Sequence, residues 1–191
     1  VLPGTTVTLR AWIRRHWSVP LDEVLVTAEA FGIRCGYDQP AQLGVDRWLA
    51  VIGARTLNDG NLCVVDCGTA VTVDGLTQDN HHAGGYIMPG LALMRRTLAT
   101  DTGNLPEVSG AAGTGPAVNT RDAILGGTLH ATVGGIRNAL YAMRQALAWK
   151  DDPRIFLTGG ESRRIQPHLE VASTVVPDLV FVGLTRFADA N

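Results

Sequence analysis

Leu62-Cys63-Val64-Val65-Asp66-Cys67-Gly68-Thr69-Ala70-Val71-Thr72-Val73-Asp74-Gly75-Leu76 reads as two strands joined at a glycine turn. Leu62 to Val65 is a continuous apolar run, the pattern of a strand buried on both faces. After Gly68, Val71, Val73 and Leu76 alternate with Thr72 and Asp74, as a second strand requires. The polar stretch Thr77 to His82 turns the chain into a third strand, Gly85-Tyr86-Ile87, and Pro89-Gly90 closes the unit. Three consecutive antiparallel strands are predicted.

Downstream, Leu91 to Leu98 reads as a helix, and the Gly/Ala/Thr-rich stretch 101–119 as a long surface loop. Asn119 or Thr120 can cap a long helix carrying Ile124, Leu125, Leu129, Val133, Ile136, Leu140 and Met143 on one face. Gly126, Gly127, Gly134 and Gly135 imply either close helix packing or a break. Ile155-Phe156-Leu157-Thr158 is a further buried strand, stopped by Gly159-Gly160, and Pro177 to Phe187 forms a last helix or strand and helix. Upstream, a helix is expected over 5–17, a short strand over Val24-Leu25-Val26-Thr27, and a helix from Val45 towards Gly60.

The composition excludes several functions. Sixteen basic and 18 acidic side chains in 191 residues give a formal charge of -2, which leaves no electrostatic footprint for nucleic acid. No apolar run reaches the roughly 20 residues that span a bilayer. Cys35, Cys63 and Cys67 are odd in number and set in apolar surroundings, which fits reduced thiols and a cytoplasmic protein. Lys150 is the only lysine and follows no glycine loop, so a Walker phosphate loop and the strand lysine of protein kinases are both absent. If ATP is handled, backbone amides, hydroxyls and a carboxylate-bound metal must do it.

Three clusters can carry chemistry. In the Asp66-Cys67-Gly68-Thr69 turn, glycine allows amides to face an anion, Thr69 can donate a hydroxyl and Asp66 can hold a cation; an ordinary hairpin with a structural Asp is the alternative. Thr158-Gly159-Gly160 after a buried strand can admit an adenine ring or its ribose. Tyr37 with Leu43-Gly44-Val45-Asp46-Arg47-Trp48 forms the third. Asp46 in a first helical turn has a bland explanation in the helix dipole, but it could also take a proton from an attacking hydroxyl. Arg47 opposes the dipole and calls for a carboxylate, either a substrate's or that of Asp46. His81-His82 is expected to be solvated in the hairpin turn.

Gly36-Tyr37, Leu43 to Ala50, Val65 to Thr72, Gly84-Gly85-Tyr86-Ile87-Met88-Pro89-Gly90, Thr120, Phe156 to Gly160 and Pro177 to Leu184 together resemble the type III pantothenate kinases, of the acetate-and-sugar-kinase, heat-shock-70 and actin superfamily. The resemblance covers about residues 36 to 184. It implies an α/β fold of two ribonuclease-H-like lobes, here with 1–60 as the remnant of an incomplete first lobe and 61–191 as the second. It also implies transfer of phosphate from ATP, with Mg2+, to pantothenate at the first step towards coenzyme A. Asp46 would be the proton acceptor. Tyr37, Gly44, Val45, Asp46 and Arg47 would line the pantothenate site, and Thr120 would reach it from the partner subunit of a homodimer. Thr69 would contact ATP phosphate, with Gly68, Gly159 and Gly160 in the nucleotide site, and Asp66 would bind K+ or NH4+. Family members begin with a strand ending Asp-x-Gly-Asn followed by Thr or Ser. This chain has no such motif, and it is expected to begin partway through a larger gene product. The competing expectation is a non-catalytic nucleotide-binding or regulatory accessory protein of the same fold.

Overall fold

The computed structural model describes residues 3–17, 21–113 and 115–189. Its centre is a five-stranded sheet of β3 (Leu62–Cys67), β4 (Ala70–Leu76), β5 (His82–Pro89), β6 (Arg154–Thr158) and β7 (Ser173–Val175), in the order β5-β4-β3-β6-β7. β3, β4 and β5 form the predicted antiparallel meander, and β6 and β7 lie parallel on the other side of β3. A three-strand meander with two parallel strands added beside its first strand is the ribonuclease-H-like arrangement.

Helices cover both faces, which is why β3 is apolar from Leu62 to Val65. Cys63, Val65, Cys67, Val71, Val73, Ile155 and Leu157 face α4 (Thr120–Ala146), whose Leu129, Val133, Ile136, Leu140 and Met143 complete that core. Leu62, Val64, Leu76 and Phe156 face α2 (Val45–Arg55) and α6 (Leu179–Ala188). Period-two alternation puts Asp66, Thr72, Asp74 and Thr158 on this second face, so these polar residues of β3, β4 and β6 point to the side where α2 begins.

Asn119 caps α4 by accepting the Asp122 amide at 2.9 Å, and the helix runs unbroken for 27 residues through its four glycines. Of these, only Gly135 has a close neighbour, the Met88 sulfur, 2.8 Å from where a Cβ would stand; at Gly126, Gly127 and Gly134 nothing lies within 4 Å. Close approach occurs instead between α2 and α6, where a Cβ on Gly53 would overlap the Leu179 carbonyl and one on Gly183 the Leu49 carbonyl. α3 (Leu91–Asp101) leads into residues 102–113 and 115–119, which are irregular as predicted. Arg95, Arg121 and Arg164 tie that loop down by donating to the carbonyls of Ser109 and Gly110.

Near the start, α1 (Pro3–His16) matches the expected helix. The expected strand over Val24–Thr27 is not formed: no neighbouring strand among the described residues supplies a ladder, and its side chains alternate between half-buried and exposed. Pairing moves to β1 (Glu29–Ala30) and β2 (Ile33–Arg34), a short hairpin whose turn residues Phe31 and Gly32 both have positive φ, 52° and 73°. Positive φ at both turn residues suits the right-handed twist of the flanking strands. The strained Phe31 is held by its edge-on contact with Phe187, 4.8 Å between centroids. No helix among the described residues is long and apolar enough to cross a membrane.

Gly183→Ala should cost about 1–3 kcal/mol of unfolding free energy, because two helix backbones must separate to admit the methyl group. Gly126→Ala enters open space and should stabilise by about 0.5–1 kcal/mol through helix propensity. Urea denaturation of both variants checks the pair of expectations.

Candidate functional site

The site is built on the first turn of α2. Gly44 is its N-cap and offers no side chain to cap the free amides. Asp46 supplies one partner itself, its Oδ1 accepting the Arg47 amide at 2.9 Å; its carboxylate is otherwise exposed to solvent.

The Arg47 side chain turns inward, and only 7% of the residue is exposed. Its Nε donates to Asp74 Oδ2 at 2.9 Å and its Nη2 to Asp74 Oδ1 at 2.6 Å, a two-pronged ion pair of the planar kind that guanidinium groups favour. Nη1 donates to the Tyr37 hydroxyl at 2.7 Å. Burial pulls the Arg47 pKa down, but the hydrogen bonds and charge of Asp74, with Tyr37, outweigh it and hold the pKa above its ordinary value. The carboxylate that Arg47 required is therefore Asp74, neither a substrate's nor that of Asp46.

His82 is also corrected. It is wholly buried, with Nε2 2.9 Å from Asp74 Oδ1, and not solvated in the turn. Its ring stacks on Tyr37 and meets Trp48 edge-on, each at 6.0 Å between centroids. Glycines make the room: in register, Asp74 stands opposite Gly85, and a Cβ there would lie 2.8 Å from Asp74 Oδ1 and 3.0 Å from Arg47 Nη2. A Cβ on Gly36 would overlap the His82 carbonyl oxygen.

A second group of residues meets at the β3–β4 turn. Asp66 is half-buried, and burial first, then the charges of Asp46 and Asp74, raise its pKa. The three carboxylates thus share one field. Gly159, at φ 85°, packs so closely against this turn that a Cβ would overlap Asp66 Oδ1 and lie 2.7 Å from the Cys67 carbonyl oxygen. The Cys67 carbonyl accepts the Glu161 amide at 3.0 Å, which leaves the Asp66 carboxylate as the oxygen at this turn able to hold a cation. The Gly68 amide donates to the Ala70 carbonyl at 3.1 Å, closing the turn. Thr69 is exposed, and its hydroxyl has no partner among the described residues. Gly160 is open to solvent, with nothing within 4 Å of a Cβ. Burial pushes the thiols of Cys63 and Cys67 up to about 12, so neither is a thiolate near pH 7.

Tyr37, Gly44, Asp46 and Arg47 are thus brought together, as are Asp66, Gly68 and Gly159, and the field of Asp46 on Asp66 links the groups. Val45 is partly exposed beside them. Thr120 stands apart at the head of α4, lining an open groove of about 930 Å3 with Met94, Leu98, Leu105, Val118 and Ile124. Asp74 and His82 are the site residues that sequence reasoning missed. The available signal was Asp74 itself, the one acid of β4, which the sequence pattern presents only as an alternating polar position.

Comparison with known proteins agrees with the resemblance. Residues 1–142 match the profile of the type III pantothenate kinase family. The type III pantothenate kinase of Alkalilimnicola ehrlichii is 42% identical over 187 residues, 97% of this chain and 74% of that protein. That of Nitrosococcus oceani is 34% identical, over 97% of this chain and 71% of that protein. The chain spans about three quarters of these relatives' length. In fold it resembles a solved structure from Campylobacter jejuni whose description places it in the Baf family, with TM-score 0.57 and 24% identity over 78% of this chain and 65% of that one.

Because folding raises the Asp66 pKa, the native state holds that proton more tightly than the unfolded chain. Stability contributed at low pH is therefore lost as pH rises from the ordinary value of 3.8 through the native one. Asp66→Asn should raise the urea midpoint at neutral pH, in buffer whose only cation is tetramethylammonium, with the gain vanishing below the ordinary carboxylate range. An unchanged midpoint at neutral pH contradicts this.

Proposed function

The chain belongs to the type III pantothenate kinase family, and from that premise we propose that it transfers the γ-phosphoryl group of ATP to the primary hydroxyl of pantothenate, a step towards coenzyme A. The observation that carries this reading is the exposed Asp46 carboxylate, fixed on one oxygen by the Arg47 amide and set beside the turn of Asp66 and Thr69. In the reaction the hydroxyl oxygen forms a bond to phosphorus, the bond from phosphorus to the ADP oxygen breaks, and Asp46 takes the hydroxyl proton. Tyr37, Gly44, Val45 and Arg47 line the pantothenate side. The Thr69 hydroxyl donates to an ATP phosphate oxygen, with Gly68, Gly159 and Gly160 framing the nucleotide.

The divalent cation that accompanies ATP neutralises phosphate charge. Asp66 would hold the monovalent cation, K+ or NH4+. Residues 1–60 belong in this reading to the first ribonuclease-H-like lobe and 61–191 to the second. The working form is a homodimer in which the partner subunit's Thr120 reaches each pantothenate site. Its supports are the open groove at α3 and α4 and the edge strand β5, which exposes Tyr86 and Ile87; exposed apolar patches of this kind mark interfaces. The three free thiols support a reducing, cytoplasmic setting. The regulatory alternative gains nothing from the site.

Asp46→Asn in the full-length protein should lower turnover by about a hundred- to ten-thousand-fold while leaving ATP binding and the fold intact. Turnover should depend on K+ or NH4+ and fail in Na+, and Asp66→Ala should abolish it. Full activity of Asp46→Asn refutes the base assignment, and equal rates in K+ and Na+ refute the cation site.

A further inference from the structure

We propose that Asp74 and His82 are positioning residues that set the place of the Asp46 carboxylate through Arg47. The inference rests on the kinase reading of this site and extends it to two residues to which neither the sequence patterns nor the family resemblance gave a role.

The connection is continuous. His82 Nε2 lies 2.9 Å from Asp74 Oδ1; because a carboxylate only accepts, Nε2 carries the hydrogen. Asp74 in turn takes both the Nε and Nη2 hydrogens of Arg47. The backbone amide of that same arginine donates to Asp46 Oδ1 at 2.9 Å. The orientation of the Asp46 carboxylate is therefore fixed by the residue whose side chain the sheet has clamped.

Local capping of this turn is limited to the Asp46 contact itself. Gly44 gives the turn no side-chain cap, so the start of α2 is located by tertiary contacts, of which the Arg47 clamp is the charged and directional one. The burial of His82 points the same way. Its Nδ1 is enclosed without a partner among the described residues, so this histidine satisfies only one of its two ring nitrogens, the one on Asp74. A side chain selected for packing alone would be apolar here, between Tyr37 and Trp48. The bond to Asp74 is what a histidine adds. It occupies the second lone-pair direction of Oδ1 and so restricts the carboxylate to the rotation in which both oxygens face the guanidinium.

The test uses the full-length protein, with kcat and KM for pantothenate and ATP measured per folded molecule as judged by circular dichroism. His82→Ala should lower kcat about tenfold, the equivalent of ~1.4 kcal/mol of barrier, with both KM values moving less than about twofold. His82→Gln, which returns an N–H donor to Asp74, should recover most of the loss. On an Asp46→Asn background, His82→Ala should cause no further fall, because the residue it acts through is already gone. Asp74→Asn gives the same comparison should His82→Ala not fold. A tenfold fall that persists on the Asp46→Asn background, a rise in KM with kcat unchanged, or an unaltered kcat overturns the inference and leaves the kinase reading standing. Failure of the unsubstituted protein to phosphorylate pantothenate overturns both.

Discussion

The buried pair of Arg47 and Asp74 is the interaction on which the arrangement of this protein depends. An ion pair out of water is costly to assemble and still more costly to leave half-made: removing one partner typically loses about 3–5 kcal/mol because the other charge stays buried alone. The surrounding sequence therefore has to deliver both groups together. Asp74 comes from the middle of β4 on the face that meets α2, and Arg47 from the first turn of α2. The bare backbone of Gly85 opens the space between them, and Tyr37 and His82 take up donors and acceptors that the pair leaves over. Gly36 then has no choice of side chain, since the His82 carbonyl occupies the place of its Cβ.

The same geometry creates the electrostatics of the site. A strand period of two puts Asp66 and Asp74 on one face, and α2 lays Asp46 over it. Asp74 is neutralised by Arg47 within the protein. Asp46 and Asp66 have no such partner among the described residues, and burial first, then the charges of Asp46 and Asp74, raise the Asp66 pKa. A site that holds uncompensated carboxylates beside an exposed threonine hydroxyl is suited to a phosphate donor only when cations arrive with it, which fits an enzyme that has no lysine to offer there.

The sheet was legible because its signals are short-range. The unbroken apolar run of β3, the alternation of β4 and the glycine bends specify the meander without knowledge of the rest, and the long apolar face of α4 overrides the helix cost of its four glycines. Asp46, Asp66 and Gly159 were legible for the same reason, each sitting at a turn or helix start. The strand expected over Val24–Thr27 failed because a strand needs a neighbour, and none of the described residues supplies one. β7 was missed because Ser173-Thr174-Val175 is three residues of mixed polarity whose pairing with β6 is wholly tertiary. The partner of Arg47 and the burial of His82 escaped for a related reason: positions 47, 74 and 82 meet only after α2 has docked on the sheet, and a histidine beside another histidine in a polar turn carries no local sign of which one points inward.

Hydrogen exchange at the Trp48 amide tests the central claim most directly. That amide donates to the Gly44 carbonyl at 3.1 Å and so closes the first turn of α2. If the clamp on Arg47 holds this turn against the sheet, Asp74→Asn should reduce protection at Trp48 by more than at the amides of Val64 and Val73 in β3 and β4. Unchanged protection at Trp48 in that variant would contradict the account.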